Sequence, residues 1–356
     1  MRNKRNSFWE SMSQNRDAKV SPLRSRWCSS LLLVLLLVLG CGPAAAQCDV
    51  YVANRESNSV SVFNTLTDGL EAMIPVGNQP LRVAITPNRA FAYVTNSMHV
   101  GLIVSNSVSV IDTATYAVVA TIPVGQYPNG VAITPNGAFA YVANLASNNV
   151  SVINTTTNTV AAAVAVGTSP WRVAITPNGA FAYVTNSVSN NVSVIDTATN
   201  KVVATVAVGS NPAGVAVAPN RAVAYVTNYA SNNVSVINTV TNKVVATVAV
   251  GSSPVDVAIT PNGAFAYVAN DSTGNVSVID TSTNTVVTTV PVGVTPRGVA
   301  ITPDGAFAYV GNETDSTISV IDTVTHTVVD TVRAVAALPE GLAMTFHPGA
   351  LRPGCR

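Results

Sequence analysis

The chain has 356 residues, only 10% of them charged, and its formal net charge of +1 hides two unlike parts. Residues 1–46 hold seven Lys/Arg and two acids, giving +5; the remainder holds 11 basic and 15 acidic residues, giving −4. That body lacks the basic footprint of a nucleic-acid binder, and the one long Leu/Val run is too short to span a bilayer.

The first element expected is an export signal over residues 1–46. Basic residues precede the apolar run Leu31–Leu39, and small residues follow, ending Ala44-Ala45-Ala46. That order is the one a secretory signal requires. An alternative processing site is Cys41, because Val38-Leu39-Gly40-Cys41 reads as a loose lipobox. Either route implies a protein of the periplasm, cell surface or exterior, with no transmembrane segment in the mature chain.

The body is a repeat. Tyr-Val-x-Asn begins at Tyr51, Tyr93, Tyr141, Tyr183, Tyr225, Tyr267 and Tyr309, at intervals of 42, 48, 42, 42, 42 and 42 residues. A fixed period of this length marks a solenoid, propeller or array. Each unit holds four short Val-rich runs closed by Pro-Asn-Gly, Ser-Asn-Asn, Thr-Asn-Lys or Gly-x-x-Pro turns, which read as strands. Four strands repeated seven times predict an all-β fold, a seven-bladed β-propeller of four-stranded antiparallel blades forming one domain over residues 47–356. In Ala180-Phe181-Ala182-Tyr183-Val184 large and small side chains alternate, so the large face of one blade is expected to meet the small face of the next.

The ends suggest how the ring closes. The body enters on a second strand, Asp49-Val50-Tyr51-Val52, and ends on a first strand at Pro339-Glu340-Gly341-Leu342. A C-terminal strand pairing with the N-terminal strands would complete one blade. Cys48 and Cys355 flank these two pieces, and a disulfide between them would stand in for the missing turn, at about 4 to 5 kcal/mol in the loop-entropy picture. Two unpaired terminal thiols are the alternative.

With Ala-Ile-Thr-Pro-Asn-Gly before it and Val-Ser-Val-Ile-Asp-Thr after it, the Tyr-Val-Thr-Asn phrase resembles the YVTN family of β-propellers over residues 48–350. The resemblance implies a seven-bladed ring, export, and a role in surface association or ligand binding. Related propellers include lactonase-type enzymes and a periplasmic DNA-binding protein. The repeat offers no catalytic residue to carry over.

Function is sought where the units disagree. The two positions after the loop Pro carry a charged residue in five of seven units. Arg82, Trp171, Arg172, Asp256, Arg297 and Glu340 are therefore expected to line a polar channel mouth. Arginine suits bidentate recognition of carboxylate or phosphate, and Trp171 suits stacking on a sugar or aromatic ligand. The bland reading is drift in solvated loops, with Asp256 and Glu340 paired to the arginines. A six-residue insertion over residues 97–107 adds Met98, Leu102 and Ile103 to a loop on the same face, read either as a partner contact or as an extended hairpin. Arg89 and Arg221 replace the Gly of the Pro-Asn-Gly turn, a slot that often takes positive φ. His99, His326 and His347 have no metal-ligand spacing, and no metal or cofactor is expected. The recurrent Ile-Asp-Thr carboxylates, exchanged with Asn in register, are expected to cap turns.

The leading expectation is an exported, non-enzymatic monomeric scaffold. It would bind a protein, polysaccharide or small anionic ligand at the cell envelope through the channel-mouth face. The alternatives are a lactonase-like propeller hydrolase or lyase, which would need acids and a His at the mouth, and a DNA- or polyanion-binding periplasmic propeller.

Overall fold

The computed structural model describes residues 48–64, 69–100, 103–333 and 339–346. Among them lie seven four-stranded antiparallel sheets arranged as a β-propeller. Blades 2 to 7 are each continuous in sequence, beginning with the inner strands Pro80–Ile85, Pro128–Ile133, Pro170–Ile175, Pro212–Val217, Pro254–Ile259 and Pro296–Ile301. Blade 1 combines Cys48–Asn54, Ser59–Asn64 and Gly69–Pro75 with Pro339–Phe346, which pairs antiparallel with Cys48–Asn54 from Cys48↔Phe346 to Asn54↔Pro339. The export signal and Cys41 lie outside the described residues, as does Cys355, and so does the proposed Cys48–Cys355 link.

The core lies between blades. Tyr183, Val192, Val194 and Val206 of blade 4 pack on Val215, Ala224, Val226 and Ile237 of blade 5, all buried. The motif Tyr and Val are buried because they lie in the second strand, enclosed within the blade stack. The outer strands instead expose their Val pairs, such as Val202 and Val203 at 37% and 54%.

Polar links repeat with the period. The motif Asn donates through Nδ2 to the Ser of Val-Ser-Val, at 2.9 Å for Asn144–Ser151 and Asn186–Ser193. The Gly of Gly-x-x-Pro lies against that Asn: a Cβ at Gly167 would sit 2.7 Å from the Asn186 side-chain carbon, so only Gly fits. The Tyr hydroxyl donates across the blade boundary to an Asn in the next blade's turn, at 2.8 Å for Tyr141–Asn200 and 2.7 Å for Tyr183–Asn242. Burial pushes these phenols up to about 12, so they remain donors throughout the neutral range. The Ile-Asp-Thr carboxylates cap turns: Asp112 accepts from the Thr115 backbone N–H at 2.8 Å and its hydroxyl at 2.9 Å, which holds its carboxyl below the usual range.

The insertion forms an extended hairpin, Phe91–Val100 with Ile103–Asp112, paired out to Val100↔Ile103; Leu102 lies outside the described residues, and only the backbone of Met98 and Ile103 is described. Arg89 takes φ 62°, as its Gly counterparts do, but Arg221 does not adopt positive φ. Blade 5 has Ala218 where blades 2, 3, 4, 6 and 7 have a Thr whose hydroxyl closes the turn, as Thr176 does to Phe181. Without that hydroxyl the turn opens, and Arg221 reaches the Thr281 carbonyl of blade 6. A cavity of about 570 Å³, lined by Phe181, Val217, Ala218 and Val240, lies beside it on the face opposite the Tyr-Val-x-Asn ends.

Candidate ligand site at the channel mouth

The inner strands begin at the face where the motif Asn ends the second strand, since Pro80 pairs with Asn96 and Pro170 with Asn186. Between that pair and the regular ladder each described inner strand slips register. In blade 4 Pro170↔Asn186 is followed by Val173↔Val184, so Trp171 and Arg172 stand opposite Thr185 alone. This is a β-bulge, and bulges re-aim side chains. In blades 3, 4 and 5 both residues after the Pro are thus released from the sheet pattern at the channel entrance, and in blades 1, 2, 6 and 7 the first of them is.

Where the motif's third residue is Thr, in blades 2, 4 and 5, it holds the bulge in place. Thr185 accepts from the Arg172 backbone N–H at 3.0 Å and donates to the Ala213 carbonyl of blade 5 at 2.6 Å. Thr95 does the same between Arg82 at 3.2 Å and the Asn129 carbonyl of blade 3 at 2.8 Å. Glycine within the bulge lets blades approach: a Cβ on Gly130 would lie 2.7 Å from Arg172 Cα and 2.9 Å from the Trp171 carbonyl oxygen.

The mouth residues fall into separate groups. Arg82 of blade 2 crosses to blades 6 and 7. Its Nη2 lies 4.0 Å from an Asp256 carboxylate oxygen and donates to the Arg297 carbonyl at 3.3 Å. Blades 2 and 6 are not neighbours in a seven-membered ring, so this pair spans the central channel. Burial there pushes the Asp256 carboxyl above its ordinary value, and the Arg82 charge opposes that rise.

Arg297 of blade 7 forms a second group. Its Nε sits 2.7 Å from Glu313 and 3.3 Å from Asp271, and the Tyr229 hydroxyl donates to Asp271 at 3.3 Å. Tyr229, Asp271 and Glu313 all directly follow the motif Asn, in blades 5, 6 and 7. Sequence reasoning did not single them out, although that position varies in charge as openly as the bulge does. Arg172 belongs to a third group: its Nη1 donates to the Asn129 amide oxygen of blade 3, and its guanidinium carbon lies 6.0 Å from the Trp171 ring centre. Arg172 Nε and Trp171 Nε1 are buried donors with no acceptor, an arrangement that costs about 1–3 kcal/mol per group.

Of Glu340, only the backbone is described, in the inner strand of blade 1. His326 lies in a turn on the opposite face, with Nδ1 2.7 Å from the Tyr267 hydroxyl, so it serves a blade junction and not the mouth. Among the described residues no group of three or more His, Cys, Asp or Glu could hold a metal ion, and no helix is long and apolar enough to cross a membrane.

Comparison with known proteins agrees with this architecture. No curated protein matches the chain. Among solved structures it is similar to hydrazine synthase of Kuenenia stuttgartiensis, with 24% identity and a TM-score of 0.70 over 83% of this chain and 99% of that one. It is also similar to a periplasmic gluconolactonase of Pseudomonas aeruginosa, with 17% identity and a TM-score of 0.70 over 84% and 99%. A Desulfotomaculum acetoxidans protein of unknown function gives 19% and 0.71 over 83% and 98%. At these identities the likeness establishes the fold. The family described as "Lactonase, 7-bladed beta-propeller" matches residues 154–289 and 203–353, more than half of the sequence. The chain belongs to the lactonase family of seven-bladed β-propellers.

Proposed function

We propose that this protein is a hydrolase of small cyclic esters, of the sugar-lactone kind, working at the channel mouth. The carrying observation is the pair of carboxylates, Glu313 and Asp271, fixed on Arg297 at the mouth of a lactonase-family propeller. Lactone opening adds water across the acyl C–O bond and gives a hydroxy acid. One carboxylate takes a proton from the attacking water, the ring oxygen receives a proton as it leaves, and mouth arginines offset charge on the carbonyl oxygen. No mouth histidine is then required. The export expected for residues 1–46 suits such a role, and the Pseudomonas relative is periplasmic.

The test is hydrolysis of glucono-δ-lactone, followed by acid release against the buffer rate. Glu313→Gln is expected to lower kcat/KM by about 10²-fold or more, with Asp271→Asn also impaired. A wild-type rate equal to buffer defeats the proposal.

A second reading keeps the protein a non-enzymatic envelope scaffold that binds a protein, polysaccharide or small anion. What favours it is that Arg82 and Arg297 are already engaged with Asp256, Asp271 and Glu313, as in a mouth built for rigidity.

A further inference from the structure

The three mouth arginines are not equivalent. Arg82 has Asp256 beside it, and Arg297 has two carboxylates. Arg172 meets a neutral amide, Asn129, and an indole, Trp171. It is 8% exposed, yet its Nε has no acceptor, and the neighbouring Trp171 Nε1 lacks one as well. A buried guanidinium beside a half-buried indole whose Nε1 is enclosed, both with an N–H to give, forms a site already desolvated and waiting for an oxyanion. Trp171 keeps partial exposure, so one side of the group lies at the surface of the mouth.

The rest of the mouth makes this arc distinct. Tyr229, Asp271 and Glu313 occupy blades 5 to 7, where the two carboxylates outnumber the one arginine. An anion is repelled there and drawn towards blades 3 and 4.

We infer that Arg172, Trp171 and Asn129 form a carboxylate subsite, which takes the acid group of an open-chain polyhydroxy acid. This deepens the proposed function, on which it rests for the identity of the ligand, by naming where the acid group settles once the opened product has moved off the Glu313 and Asp271 carboxylates that repel it. The guanidinium grips the carboxylate and the Trp171 indole covers the first carbons of the chain.

The experiment titrates the full-length protein with sodium gluconate, by calorimetry and by tryptophan fluorescence, alongside glucono-δ-lactone hydrolysis. Expected are saturable gluconate binding, at least tenfold weaker binding in Arg172→Gln, and loss of the fluorescence change in Trp171→Phe. Arg172→Lys keeps the charge without the planar fork and should fall between, which preserves the test if Arg172→Gln fails to fold. Wild-type protein that binds no gluconate, or folded variants that bind it as wild type does, overturns the subsite. Hydrolysis with Arg172-independent gluconate binding overturns the subsite and leaves the hydrolase; Arg172-dependent binding without hydrolysis does the reverse.

Discussion

Tyr267 meets a histidine where Tyr93, Tyr141, Tyr183 and Tyr225 meet asparagine. The position asks for two things. Its backbone sits in the left-handed region, with φ between 52° and 56° at Asn158, Asn200, Asn242, Asn284 and His326, and its side chain must accept from a buried phenol. Asparagine suits both, since it tolerates positive φ better than most residues. Asn242→Ala should therefore cost about 1–3 kcal/mol by urea denaturation, because it leaves the Tyr183 hydroxyl only the 3.4 Å contact with the Thr239 carbonyl and strains the backbone. Asn242→Gly should cost less, and equal losses would refute the backbone share. His326 adds a pH dependence. It packs edge-on against Phe265 at 4.8 Å, and burial lowers its proton affinity despite the raising effect of Asp322. Below its unfolded value near 6.5 the unfolded chain binds the proton more readily than the folded one, so stability falls as pH drops from about 6.5. His326→Asn should show a smaller drop in melting temperature between pH 7.5 and pH 5 than wild type. An identical drop would place the acid sensitivity elsewhere.

At the scale of the element, the inner strand does two jobs at once: its regular half builds the ring wall and its bulged start presents the mouth. The first half of that was legible in the sequence. The 42-residue period, the turn residues and the alternation in Phe181–Val184 specify blades because local signals repeat. The variable pair after each Pro was read as a channel mouth; Arg82, Arg172, Asp256 and Arg297 lie at the starts of their inner strands, and their part in binding is a proposal. The bulge was not legible, because a register slip depends on the partner strand and leaves no mark in the strand's own alternation. A pairing of Asp256 with a mouth arginine was foreseen, but not that the partner would be Arg82, since residues so distant in sequence meet only through the ring's geometry. Asp271 and Glu313 were hidden by their place one residue beyond a strongly repeated phrase. Gly130 tests the bulge directly. Because a methyl there would meet backbone atoms of Trp171 and Arg172, no side-chain rotation relieves it. Gly130→Ala should cost about 1–3 kcal/mol, as overpacking does, and should shift Trp171 emission; a variant with unchanged emission would show that the bulge is not held by this contact.

For the whole molecule, the channel is crossed at the mouth by the Arg82–Asp256 pair, and blade 1 unites strands from both ends of the described chain. The inner strand Pro339–Phe346 touches the inner strands of blades 7 and 2 as well as pairing with Cys48–Asn54. We propose that this strand closes the ring, as read from the sequence, and that Cys48 and Cys355 fasten it. Removing residues 334–356 would then leave Cys48–Asn54 as an inner edge with unpaired backbone groups facing the channel. It would also remove the neighbour on which blade 7 ends, so the loss should exceed that of one strand's own contacts. The expected result is a large fall in melting temperature with a broadened transition, while Cys48→Ser with Cys355→Ser should lower it only moderately and abolish its sensitivity to reductant. The two effects separate because a cross-link acts chiefly on the unfolded chain, whereas the strand supplies native contacts. A truncated protein that melts as sharply and as high as the full chain would mean that six complete blades and a three-stranded seventh suffice, and the clasp would then have nothing to fasten.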